Sequence, residues 1–267
     1  MHIPERQPVL GLGKGLAMSV QLRAPRRRSR TRAVPERPHP VGDWKIVALR
    51  LAGGAVALWG LIALLGMLVT HVLVHGPLQS VDRGVDVWFA AHRTGVWNSV
   101  TAVGSGMAEV QVAIAVTAVV VLLLRWRLGR WYESGVLVAA MVGELLVFYS
   151  VTATVHRPRP PVIRLDAAPP TSSFPSGHTA AAVALYGCIA ILVLWIYGRR
   201  PATGVAAIVL CCVPVVVGVS RVYRGMHYPT DVLAGALVGG LWLLLVITTL
   251  LPRQRTTKRR HSKRAVR

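Results

Sequence analysis

Six stretches of roughly twenty mostly apolar residues follow one another along this chain, near 51–74, 106–124, 134–155, 178–197, 202–220 and 231–251. A bilayer core about 30 Å thick is crossed by about twenty helical residues, and in lipid each segment has to satisfy its own backbone N–H and C=O groups. The expectation is therefore an all-α fold, a polytopic membrane bundle with six transmembrane helices. Composition agrees, since 53% hydrophobic and 15% charged residues in a chain of 267 is too apolar for a soluble domain of that size. The second stretch is the weakest, because Glu109 stands near its start. Over residues 78–98, Val81, Val85, Trp88, Phe89 and His92 recur at helical spacing while Asp82, Arg83 and Asp86 fall elsewhere. That pattern predicts a helix lying in the interface rather than a span.

The formal charge of +21 raises the question of nucleic acid. A nucleic-acid binder would carry its cations on a folded face or among stacking aromatics. Here eleven Lys and Arg lie in residues 1–50 and eight in 252–267, so the chain divides into a basic, disordered cytoplasmic tail over 1–48, a six-span domain over 49–251 and a second basic tail over 252–267. No nucleic-acid partner is expected. Basic segments stay cytoplasmic, and alternating the spans puts twenty-four of the thirty-one Lys and Arg on the side of the tails, with Arg125, Arg127, Arg130, Arg199 and Arg200. Both termini are expected inside. The basic start is too long and polar for a cleaved signal peptide, so the first apolar segment is expected to stay as an anchor. Cys188, Cys211 and Cys212 sit inside apolar segments and suggest neither disulfides nor a metal knuckle. Gly11, Gly13 and Gly15 around Lys14 lack the strand and spacing of a phosphate loop.

The unusual polar residues concentrate in two loops on the opposite side. One runs His156-Arg157-Pro158-Arg159-Pro160 to Phe174-Pro175-Ser176-Gly177-His178, and the other runs Ser220-Arg221 to His227-Tyr228-Pro229-Thr230-Asp231. Ser176, Gly177 and His178 stand at a helix N-terminus, where free N–H groups and the dipole favour a phosphate, and Gly177 allows close backbone approach. Arg159 and Arg221 add forked donors that match phosphate oxygens. His227 and Asp231 are four apart, so both fall on the first turn of the sixth span. An Asp bonded to one ring nitrogen leaves the other free to attack, and a second imidazole, His178, can protonate the leaving oxygen. Such a site needs no metal and no cofactor, because arginines and helix N–H groups meet the developing charge.

These segments resemble the signature of the type 2 phosphatidic acid phosphatase (PAP2) family, which includes undecaprenyl-diphosphate phosphatases and is related to vanadium haloperoxidases. The matching pieces are Arg159-Pro160, Pro175-Ser176-Gly177-His178, and Ser220-Arg221 with His227 and Asp231. The resemblance covers roughly residues 75 to 250 and implies a haloperoxidase-like helical core. It implies that His227 attacks phosphorus, Asp231 orients it and His178 protonates the leaving group, with Arg159, Ser176, Gly177 and Arg221 binding phosphate. One departure is that Thr152 occupies the position where the family usually places a Lys. Arg157, two residues before Arg159, is the candidate to compensate, the alternative being an anchor at lipid headgroups.

Other readings were open at several residues. His227 with Asp231 could be half of a zinc or iron site, although His178 is the one further ligand on offer and both arginines would repel a cation. Glu144 lies within a span, where an ionisable residue is a functional candidate by default, and an interhelical hydrogen bond is the competing account. His156, Tyr223 and Tyr228 read as interfacial residues, and Arg224 as a contact to headgroups or substrate. The expected function is hydrolysis of a lipid phosphate or diphosphate, with polyprenyl diphosphate as the first substrate in mind. A phosphotransferase using the same histidine, or a lipid-binding or transport protein, are the alternatives. The expected partners are that substrate and the surrounding membrane lipids, and the sequence leaves oligomeric state open.

Overall fold

The computed structural model describes residues 43–252. Both tails beyond Asp43 and Pro252 lie outside the described residues, and so do the expectations placed on them. The described residues form eight α-helices and no strands: α1 (Trp44–Met67), α2 (Pro77–Ala91), α3 (Gly95–Gly106), α4 (Val110–Leu128), α5 (Tyr132–Thr154), α6 (Gly177–Tyr197), α7 (Pro201–Tyr223) and α8 (Pro229–Leu250). Six of them are long and apolar enough to cross a membrane, and wider turns at Leu68–Val72 continue α1. The chain is a polytopic helical membrane protein.

Two boundaries differ from the sequence reading. The first helix starts at Trp44, not near 51, because the Asp43 carboxylate caps it by accepting from the Lys45 N–H. The second span starts at Val110, not 106. Residues Gly95–Gly106 form a separate short helix, α3, capped by Thr94, whose hydroxyl accepts from the Trp97 N–H. The single helix expected over 78–98 is broken after Ala91 into α2 and the start of α3, and the apolar Val81 and Trp88 of α2 are exposed. Its acids turn the other way, Asp82 and Asp86 being buried against the bundle.

α6 is the centre of the fold and packs against α5, α7 and α8. In a bilayer, helices associate through close packing at small residues rather than through burial from water. Gly235 and Gly239, one turn apart on α8, make that contact. A Cβ on Gly235 would stand 2.3 Å from the Ser176 carbonyl oxygen, and one on Gly239 would stand 2.5 Å from that of Ala180. This close approach holds the first turns of α6 and α8 together, where the Ser176 N–H donates to the Asp231 carbonyl at 2.9 Å. The loops preceding both helices therefore meet at one end of the bundle. The basic turns at Arg125–Arg130 and Arg199–Arg200 lie at the other end, where Arg130 pairs with the buried Glu133.

Candidate active site

The loop from α7 to α8 turns at Gly225, whose φ of 71° is a left-handed conformation that favours glycine. The turn brings His227 over the start of α8, where it is 4% exposed. Its Nδ1 lies 2.7 Å from the Ser173 carbonyl oxygen. A carbonyl only accepts, so Nδ1 carries the proton and Nε2 keeps a free lone pair. Burial, with Arg221 and Arg159 adding, holds the imidazole well below the usual histidine range, which keeps it neutral at neutral pH.

Asp231 was expected to hold that ring directly. Its nearest oxygen is instead 3.9 Å from Nδ1, beyond hydrogen-bond reach. The carboxylate acts through the loop: Oδ2 accepts from the Ser173 hydroxyl at 2.5 Å and from the Tyr228 N–H at 2.9 Å. Ser173 thus links the two, its hydroxyl on Asp231 and its carbonyl on His227.

Arg157 corrects a second expectation, since it is neither an auxiliary phosphate ligand nor a headgroup anchor. The residue is 5% exposed. Nη1 donates to Asp231 Oδ1 at 2.5 Å and to the Thr230 hydroxyl, Nη2 donates to Asp82 Oδ2 at 2.9 Å and to Gln79, and the guanidinium lies over the Tyr228 ring. With its terminal nitrogens so occupied, the guanidinium has no fork left for phosphate. Burial alone would push its pKa down, but Asp231 and Asp82 outweigh that and raise it. Asp86, one turn beyond Asp82, finds no partner for either oxygen. Burial, with Asp82 and Asp231 adding, pushes it up to about 8. At neutral pH Arg157 therefore faces two carboxylates rather than three.

A cavity of about 600 Å³ lies between α4, α5 and α6 under these loops. Arg159, His178, Arg221 and His227 form its polar end, and Gly177 is also on its wall. Arg159 is steadied by the Met226 carbonyl at 2.8 Å, and burial lowers its pKa. Arg221 uses Nη1 on Ser105 and Asp166, at 2.9 and 3.1 Å, while its buried Nε has no partner among the described residues. Asp166 also takes a charge-assisted bond from Arg224 Nη2 at 2.5 Å. Burial would raise the Asp166 pKa, but the Arg224 bond and the charges of Arg224 and Arg221 hold it below the usual carboxylate range. Arg224 is thereby a structural clamp on the loop rather than a headgroup contact.

Ser176 does not line the cavity. It is fully buried, its hydroxyl accepts from Thr179 at 3.0 Å and its N–H is spent on Asp231. Gly177 and His178, whose N–H groups belong to the uncapped first turn of α6, are the residues of this turn on the cavity wall. Gly177 also makes room for the Phe148 ring, 2.7 Å from where its Cβ would stand. Thr152 is buried, donates to the Tyr149 carbonyl at 3.1 Å and is not on the wall. Among the described residues no three His, Cys, Asp or Glu side chains are placed to share a metal.

Residues 133–255 match the PAP2 superfamily. Over that stretch the chain is PAP2-like. The chain is 26% identical over 193 residues to an undecaprenyl-diphosphatase of Sulfolobus acidocaldarius, an alignment covering 69% of the present chain and 86% of the relative. It is 41% identical over 75 residues to phosphatidylglycerophosphatase B of Bacillus subtilis, a shorter alignment covering 28% of this chain and 37% of that one. Its fold is similar to the crystal structure of the first transmembrane PAP2 type phosphatidylglycerolphosphate phosphatase, from Bacillus subtilis. That likeness has a TM-score of 0.65 and 23% identity, and covers 76% of this chain and 99% of the other.

Sequence reasoning missed Ser173, Asp82, Gln79, Asp166 and Ser105. A signal existed for Asp82, a second acid four residues from Asp86 in a helix with an apolar face. Ser173 carried none, because its role rests on a carbonyl that any residue would supply and a hydroxyl in a loop of serines and threonines.

Proposed function

We propose that this chain is a metal-independent phosphatase that hydrolyses a lipid phosphate or diphosphate at the extracytoplasmic face through a phosphohistidine on His227. The observation that carries the reading is the cavity itself. One end joins a neutral imidazole, a second imidazole and two arginines, and the rest is a mainly apolar wall in which Glu144 and Thr117 are the polar exceptions away from the loops. Ile114, Val142 and Leu145 on that wall are also exposed on the outside of the bundle. A headgroup bound at the polar end would leave its tail in the cavity and in lipid.

The chemistry follows from the atoms in place. The Nε2 lone pair attacks phosphorus, the bond from phosphorus to the leaving oxygen breaks, and His178 as imidazolium gives that oxygen its proton. The incoming phosphate dianion favours the charged form of His178. Neutral His178 then takes a proton from water, the hydroxide attacks phosphorus, and the P–N bond breaks to release phosphate and restore His227. Arg159, Arg221 and the N–H groups of Gly177 and His178 stabilise the charge on the phosphoryl oxygens in both steps. Ser173, held by Asp231, keeps Nδ1 protonated throughout. The test is phosphate release from phosphatidic acid, phosphatidylglycerophosphate and undecaprenyl diphosphate by purified protein in detergent. Release should persist with a chelator present. Absence of release from every lipid, or its loss on chelation, would contradict the proposal, and label moving to an added alcohol instead of water would make the protein a transferase.

The sidedness rests on the charge asymmetry, twenty-four basic residues against seven. In a protein whose Cys188, Cys211 and Cys212 are replaced, a cysteine at exposed Ala168 should react with an impermeant thiol reagent in intact cells. One at Thr257 should react only after lysis. The reverse pattern would put the site in the cytoplasm.

A further inference from the structure

The mechanism leaves one buried ionisable group on the cavity wall unused. Glu144 of α5 is 2% exposed, yet it lines the cavity. Among the described residues no hydrogen bond, ion pair or nearby charge reaches its carboxyl group. The interhelical hydrogen bond that would give it a structural role is therefore not made. An uncompensated carboxyl in an apolar wall is a standing cost, and the remaining direction for it to find a partner is the cavity. The neutral acid, the form an apolar wall favours, offers one O–H donor.

Its depth says what that partner would be. The Phe148 ring abuts Gly177, beside the free N–H groups where a phosphoryl group would sit. Glu144 lies one helical turn further along α5, about 6 Å into the cavity at the rise of an α-helix. A polyprenyl tail presents only hydrocarbon at that depth and leaves the carboxyl unsatisfied. In a diacylglycerol phosphate the ester carbonyls follow phosphorus by a few bonds, a reach of roughly one helical turn, and each is an acceptor without a donor of its own.

We infer that Glu144 is a specificity-determining residue that donates a hydrogen bond to an ester carbonyl of the substrate, so that ester-linked glycerolipid phosphates are preferred over tails lacking a carbonyl. The inference rests on the phosphatase reading above and narrows its substrate class.

The test compares two substrates that differ only in those carbonyls, a diacyl and a dialkyl glycerol phosphate of equal chain length, in the full-length protein and in Glu144→Leu and Glu144→Gln. Wild type should favour the diacyl lipid in kcat/KM by about five- to tenfold, the worth of one hydrogen bond. Glu144→Leu should bring that ratio to about one, and Glu144→Gln, which keeps a donor, should retain most of it. Because the readout is a ratio within each protein, partial misfolding of a variant cancels. A wild-type ratio near one, or a ratio that Glu144→Leu leaves unchanged, overturns the inference while leaving the phosphatase reading intact. Failure of wild type to hydrolyse either lipid would count against both, and hydrolysis of undecaprenyl diphosphate in the same preparation would then restore the phosphatase reading alone.

Discussion

Replacing His227 with Asn should leave a folded protein whose turnover is lower by at least about four orders of magnitude, the scale on which loss of a catalytic nucleophile acts. The substitution is chosen for its geometry. An Asn amide nitrogen falls near the position of Nδ1 and can still donate to the Ser173 carbonyl, so the loop keeps its bond, while no nitrogen remains to attack. The measurement is kcat on a lipid phosphate beside thermal unfolding in detergent. Activity above about 1% of wild type would remove His227 from the nucleophile's role. His178→Ala should behave differently, because an acid is needed most for a poor leaving group. The loss on a lipid alkyl phosphate should exceed that on an activated aryl phosphate, and equal losses on both would contradict the assignment.

Arg157→Ala should fail in another way, by unseating the site. Asp82 and Asp231 would both be left buried without their cation, and breaking a buried ion pair from one side costs about 3–5 kcal/mol. Whatever folds should turn over at least about a hundredfold more slowly, since Asp231 holds Ser173 and Ser173 holds His227, and a shift of about 1 Å at reacting atoms has an effect of that size. The checks are the unfolding midpoint and kcat measured together. If Arg157 were a phosphate ligand standing in for the Lys absent at Thr152, Arg157→Ala would raise KM without changing stability, and Thr152→Lys would restore binding. The buried guanidinium predicts no rescue, because Thr152 is away from the cavity wall and a lysine there has no phosphate within view.

These two residues also mark the boundary of what the sequence reading could reach. The six spans were legible because the bilayer imposes a length and a composition on each, and all six reappear within a few residues. The gathering of Arg159, Gly177, His178, Arg221 and His227 on one cavity was legible because chemistry-bearing types clustered at helix ends. What stayed hidden was the direction in which side chains point. Arg157 and Arg159 are two residues apart, a spacing that would put them on one face of an extended chain, yet one faces the acids of α2 and the other the cavity. Ser176 lost its phosphate role to the close contact that Gly235 and Gly239 allow. Asp231 was one link too far from His227, because a loop carbonyl arrived between them. None of those three outcomes follows from spacing along the chain, and each depends on how α6, α8 and α2 meet.

The central claim is that hydrolysis proceeds by two displacements, one by His227 and one by water. Each in-line displacement inverts phosphorus, so the pair returns the original configuration. The most direct measurement is the stereochemical course of hydrolysis of a lipid phosphorothioate made chiral with oxygen isotopes and turned over in isotopically labelled water. Net retention is the result expected, and net inversion would mean that water attacks the lipid phosphate directly and that His227 never carries the phosphoryl group.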